Sequence, residues 1–187
     1  AKFYSIAWTH DNKGFYYCRF PTPDSLRESD DKDKRGAETD EARNQAVYYH
    51  ELNSPQSQDR LVLSSPSHPK YLFGLEISDD GRYLFVSIHE DCAPRELLWY
   101  VDLSSHFGNE ADNIVYLVND FEAQFSYVAN DGPIVYMRTN LSAPRYKLIA
   151  IDLNDSARER WREILPEHPA HVLSSVDAIH QKYIVVV

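Results

Sequence analysis

Ser78-Asp79-Asp80-Gly81-Arg82-Tyr83-Leu84 lies between two runs rich in β-formers. Asp bonds readily to its own backbone and Gly accepts positive φ, so Asp-Asp-Gly between apolar runs reads as a hairpin turn. Related stretches recur along the chain: Asp11-Asn12-Lys13-Gly14, Asn130-Asp131-Gly132 and the degenerate His180-Gln181-Lys182. Gly14 to Gly81 is 67 residues, Gly81 to Gly132 is 51 and Gly132 to Lys182 is 50, a spacing that belongs to propellers and solenoids.

A second element keeps step. Tyr49-His50-Glu51-Leu52, Tyr100-Val101-Asp102-Leu103 and Ala150-Ile151-Asp152-Leu153 each end a β-rich run. From Gly81 to Asp102 is 21 residues and from Gly132 to Asp152 is 20, against 37 from Gly14 to Glu51. One insertion of about 16 residues in the first unit, between its hairpin and third strand, accounts for both irregular spacings.

Each unit reads as four strands. The second takes 73–78, 83–88, 97–103 and 114–118; the third takes 125–129, 134–138, 146–153 and 161–165. The first opens with 4–8 and closes with 60–63, and 176–187 is half a unit. Leu97-Leu98-Trp99-Tyr100-Val101 is apolar on both faces, as expected of a sheet sandwiched between neighbours. Four-stranded sheets repeated radially are propeller blades. The expected fold is therefore all-β, a partial propeller of three and a half blades divided as 1–64, 65–120, 121–166 and 167–187. Ala1 is not an initiator methionine and the final run 183–187 stops inside a strand pattern, so the sequence reads as an excerpt.

Up-and-down strands also sort the loops. Connections from strand two to strand three, and from one blade to the next, leave at one end, which groups 21–44, 65–72, 89–96 and 139–144. Function is expected to concentrate on that face. Segment 21–44 has 13 charged residues among 24 and no aromatic residue, which predicts a mobile, solubilising insertion rather than a docking site.

Composition narrows the partners. A net charge of −10 argues against a phosphate-binding surface, so no nucleic acid is expected. No apolar run approaches the roughly 20 residues of a membrane span, so no membrane partner is expected either. Two cysteines without a Cys-x-x-Cys spacing indicate neither a disulfide framework nor structural zinc, and point to a reducing, cytoplasmic setting.

The chemistry of a catalytic centre is missing. Glycines stand at 14, 36, 74, 81, 108 and 132, so Gly-x-Ser-x-Gly, Gly-x-Gly-x-x-Gly and the P-loop are all absent. No catalytic residue is assigned, and no cofactor. His168-x-x-His171 lacks the further ligands a metal site needs and reads as a polar inter-blade turn. Asp102 and Asp152 read as structural turns in which Asp accepts backbone hydrogen bonds. Cys92, in His89-Glu90-Asp91-Cys92-Ala93-Pro94, reads by itself as a small buried hydrophobe with a notable address on the loop-rich face.

Several stretches in order carry a family resemblance: Ala7-Trp8-Thr9-His10-Asp11-Asn12-Lys13-Gly14-Phe15, Glu76-Ile77-Ser78-Asp79-Asp80-Gly81-Arg82-Tyr83 and Leu98-Trp99-Tyr100-Val101-Asp102-Leu103. Arg138-Thr139-Asn140, Pro144-Arg145-Tyr146 and Leu165-Pro166-Glu167-His168 extend it over nearly the whole chain. The chain resembles the propeller of prolyl oligopeptidase, a family of cytosolic serine peptidases that cleave short peptides after proline. The resemblance implies a seven-bladed propeller capping an α/β-hydrolase domain of the same polypeptide in a monomeric parent. The catalytic serine, aspartate and histidine belong to that other domain, and none maps here. The propeller filters out large substrates and supplies part of the pocket wall. Two wall positions carry over: Leu72, where the family commonly has methionine, and Cys92, which matches a pocket-lining cysteine. His89 stands where arginine is familiar. A macrocyclase of the same family, or a free-standing propeller that only binds partners, are the alternatives.

Overall fold

The computed structural model describes residues 5–21, 42–179 and 183–186. The predicted mobile insertion therefore lies almost wholly outside the described residues, as does the degenerate turn at 180–182. Three four-stranded antiparallel sheets follow one another along the chain, each a simple meander in sequence order. The first contains β1 (Ile6–Trp8), β2 (Gly14–Arg19), β3 (Ala46–Glu51) and β4 (Arg60–Ser64). The second contains β5 (Leu72–Ile77), β6 (Tyr83–His89), β7 (Glu96–Asp102) and β8 (Val115–Ala123). The third contains β9 (Phe125–Asp131), β10 (Ile134–Thr139), β11 (Lys147–Asp152) and β12 (Arg162–Leu165), and β13 (Val176–Ile179) pairs with β14 (Tyr183–Val186).

The strands follow the predicted ones closely, with one exception. β8 runs on to Ala123 instead of ending at 118, because Ala123 still pairs with Glu96 while Asn119, Asp120 and Glu122 occupy exposed positions that break the apolar pattern. Between β7 and β8 the chain forms the one-turn helix α1 (Leu103–His106) and a 3-10 turn at Glu110–Asp112.

Two-faced strands hold the stack together. On β6 and β7, Leu84, Val86, Ile88, Leu97, Trp99 and Val101 pack toward the first sheet against Tyr16, Val47 and Tyr49. Tyr83, Phe85, Leu98 and Tyr100 pack the other way, against Phe125, Val135, Met137 and Ile151 of the third sheet. Each fully buried large side chain in these two seams contributes about 1.5–3 kcal/mol of favourable burial.

The hairpin turns correct the sequence frame by two residues. The left-handed residues are Asn12 (φ 55°), Gly81 (φ 74°) and Gly132 (φ 55°). Gly14 is not the counterpart of Gly81, as the sequence spacing assumed. It opens β2 opposite Glu51, and a Cβ there would lie 2.3 Å from the His50 carbonyl oxygen. Thr9 and Ser78 play matching parts, donating their hydroxyls to Asp11 Oδ1 (2.7 Å) and Asp80 Oδ1 (2.6 Å). A further repeat appears only in three dimensions. The pairing of third and fourth strands slips at Val47/Tyr48, Leu98/Trp99 and Leu148/Ile149, each the same distance before the acidic strand end. A bulge bends and twists its strand, so each outer strand turns by the same local device.

Candidate functional site

Loops assigned to one face by strand parity do meet. The Asn44 amide donates to the Pro69 carbonyl at 2.7 Å, joining the first and second of these segments. Asn140 Nδ2 donates to the Pro94 carbonyl at 3.0 Å, and Asn140 Oδ1 accepts the Gln124 amide at 2.7 Å.

The last row of the second sheet lies beneath these loops. Leu72, the first residue of β5, is cross-strand partner of His89, and Glu96 is partner of Ala123. His89 Nε2 stands 3.1 Å from Glu96 Oε2, closing the β6–β7 hairpin at its base. Directly opposite residues of an antiparallel pair share a face, so Leu72 and His89 both point to the third sheet. Above them, the 90–95 loop is shaped by Asp91, which accepts from the Ala93 amide at 2.8 Å and from Arg95 Nη2 at 2.9 Å. Cys92 sits on this loop as an exposed free thiol, not the buried hydrophobe its residue type suggests. Cys18 is the buried one, donating to the Phe73 carbonyl at 3.2 Å, and burial pushes its thiol up to about 12.

Two cavities open along the seams. One of 310 Å³ lies between the second and third sheets, lined by Gly74, Ser87, His89, Glu96, Phe125 and Tyr127 among others. The other, of 580 Å³, lies between the first and second sheets beside His68, Tyr71, Trp99, Tyr116 and Phe121. Leu72 and Cys92 border neither cavity. Among the described residues no group of three or more His, Cys, Asp or Glu is placed to hold a metal ion. His168 uses Nδ1 to accept the amides of Ala170 (3.1 Å) and His171 (3.0 Å), which makes the histidine pair a closed turn. Asp102 and Asp152 likewise accept the amides of Ser104 (3.0 Å) and Asn154 (2.9 Å).

These features stand at the loop-bearing end of a stack of four-stranded sheets. The family described as prolyl oligopeptidase, N-terminal beta-propeller domain, matches residues 1–187. The chain belongs to this family. It is similar to prolyl oligopeptidase A of Amanita bisporigera, at 34% identity over 176 residues, covering 94% of this chain and 22% of the relative. Prolyl endopeptidase of Dictyostelium discoideum is 35% identical over 195 residues, covering 97% of this chain and 25% of that protein. The dual function macrocyclase-peptidase POPB of Galerina marginata is 33% identical over 186 residues, covering 100% and 24%. Among solved structures, prolyl oligopeptidase B of Galerina marginata bound to a 25mer macrocyclization substrate superposes with a TM-score of 0.84 at 31% identity, covering 100% of this chain and 25% of that one. The chain thus spans about a quarter of the length of these relatives.

Within this prolyl oligopeptidase propeller chain, two residues that hold the blades together were not singled out by the sequence. Glu96 lies 3% exposed at the start of β7, and its Oε1 accepts the Phe125 amide at 2.7 Å across the seam. Burial pushes its carboxyl up to about 7, against the opposing pull of the Phe125 amide. Burial lowers the pKa of His89. Glu110, fully buried in the excursion after α1, accepts from the Tyr16 hydroxyl at 2.7 Å and from the Arg60 guanidinium. Its carboxyl is held below the usual range by Arg60 and Tyr16 despite the opposing effect of burial. A signal for Glu96 did exist in the sequence: it stands six residues before Asp102, as Gln45 stands six before Glu51.

Proposed function

We propose that this chain is the propeller portion of a prolyl oligopeptidase, a serine endopeptidase cleaving short peptides on the carboxyl side of proline. The single observation that carries the reading is the family match over residues 1–187, on a stack of sheets that superposes on a prolyl oligopeptidase. In this reading an α/β-hydrolase domain of the same polypeptide supplies the catalytic residues. The propeller restricts access to the active site, and Leu72 and Cys92 line the outer substrate pocket. The exposed free thiol of Cys92 is in keeping with a reducing cytoplasm.

The test is turnover by the full-length protein of a short proline-containing peptide, with cleavage mapped by mass spectrometry. Cleavage after proline supports the reading, and its absence under conditions where the protein is folded refutes it. A second reading is favoured by a specific observation: the macrocyclase-peptidase of Galerina marginata is as similar as the hydrolytic relatives. A cyclic product from a long precursor peptide in the same assay decides for macrocyclisation.

A further inference from the structure

Glu96 occupies a position where an uncharged residue suffices. Its counterpart in the first blade, Gln45, makes the same bond with a neutral amide oxygen, accepting the Phe73 amide at 2.6 Å. A carboxylate taken out of water is more costly than an amide making the same contact. What distinguishes Glu96 is its second oxygen, which faces His89 Nε2 at 3.1 Å. Two acceptor atoms at that distance require a proton between them, held either by the imidazole or by the carboxyl.

The pair lies at the centre of the end row. His89 is cross-strand partner of Leu72 and the last residue of β6 before the loop bearing Cys92. Glu96 is the first residue after that loop and is bonded to the beginning of β9. We propose that Glu96 and His89 form a proton-coupled positioning pair that fixes Leu72 and the 90–95 loop against the third blade, and so sets how tightly extended peptides bind. This rests on reading Leu72 and Cys92 as pocket wall.

While Glu96 is ionised, His89 donates through Nε2, and the Phe125 amide donates to a charged acceptor. Hydrogen bonds to ionised acceptors are shorter and stronger than neutral ones. Once the carboxyl takes up a proton, His89 must turn its Nε2 into an acceptor or carry a proton of its own; the Phe125 bond loses its charge assistance, but the larger cost of a charge buried in the seam is removed, so the closed seam as a whole is favoured. The carboxyl's rise to about 7 places this change near neutrality. The other titratable groups around the cavity are Glu76 of β5, exposed at its mouth, and Tyr127 of β9, whose hydroxyl is raised by burial. On the loop above, Asp91 and Arg95 satisfy one another, and Glu122 of β8 pairs with Arg158 at 2.6 Å.

The experiment uses the full-length enzyme and two readouts. The first is KM against pH for a short proline peptide and for one extended upstream of the proline. From pH 8 to pH 6 the KM of the extended peptide falls about fivefold more than that of the short one, and in Glu96→Gln this excess is lost. The second is hydrogen exchange of the segment 124–130 in the unmodified protein, corrected for intrinsic pH dependence, which shows the Phe125 amide gaining protection over the same range. Flat protection at Phe125 overturns the positioning pair. Phe125 titrating while long and short peptides keep the same profile leaves the pair intact as a seam latch, and removes instead the assignment of Leu72 and Cys92 to the wall. An excess that survives in Glu96→Gln assigns the pH effect to Glu76 and also overturns the proposal.

Discussion

Gln45 and Glu96 occupy the same rung of consecutive blades, and each accepts the amide of the first core phenylalanine of the next blade, Phe73 at 2.6 Å and Phe125 at 2.7 Å. One inter-blade bond is therefore made twice, once by an amide and once by an acid. In the third blade the rung is held by Tyr146, whose hydroxyl instead donates to Gln124 at 2.9 Å.

The acid has a consequence for stability. Because the folded state raises the Glu96 carboxyl to about 7, folding favours its protonated form. The corresponding stability is present at acid pH and is lost as pH rises from the ordinary carboxylate range through about 7. Glu96→Gln is expected to match the parent near pH 5 and exceed it by about 2 kcal/mol at pH 8. Thermal unfolding of both full-length proteins across this range checks it; a constant difference would show that the carboxyl is not titrating between the two states.

Glu110 behaves in the opposite way. Its removal leaves the Arg60 guanidinium and the Tyr16 hydroxyl facing a buried gap. Glu110→Ala is expected to destabilise by about 3 kcal/mol, since breaking a buried pair costs more than the pair contributes. Denaturant titration of the parent and variant gives the number, and a loss below about 0.5 kcal/mol, the scale of an exposed ion pair, contradicts it.

Gly81 is constrained twice. It holds φ at 74°, and a Cβ would lie 2.8 Å from His10 Cγ in the neighbouring turn. Gly81→Ala is expected to cost about 1–2 kcal/mol for the left-handed backbone, with a further steric penalty from His10. In a His10→Ala background the steric part should vanish and the backbone part remain, which a double-mutant cycle resolves.

Leu72 and Cys92 test the pocket. In the proposed reading, Leu72→Asp or Cys92→Asp in the full-length protein would set a charge against a bound apolar side chain remote from the reacting carbonyl. The specificity constant should fall by about tenfold or more for extended substrates, while the shortest proline substrates change little. Equal effects on both, or none, remove these residues from the wall. Thiol labelling offers a second check: exposed Cys92 should react well before buried Cys18, and a bound extended peptide should protect it.

The repeat, the all-β class, the order of strands and the end at which the loops gather are all legible in the residue pattern. These follow from local chemistry, since turn residues and apolar runs act over a few positions and repeat with the blade. The same pattern also marked the resemblance that brought Leu72 and Cys92 forward. The frame of the first turn, where Asn12 rather than Gly14 takes the left-handed conformation, emerges from the folded chain alone. Only the folded chain shows that Cys92 is the exposed cysteine, and that Glu96 and Glu110 are buried acids binding one blade to the next. The six-residue offset from the acidic strand end marks the position of Glu96 but not its burial, and nothing local sets Glu110 apart from the other acidic residues of the chain. An acid becomes a seam residue through partners far along the sequence, Phe125 for Glu96 and Tyr16 for Glu110, and the stacking of sheets alone brings those partners within reach.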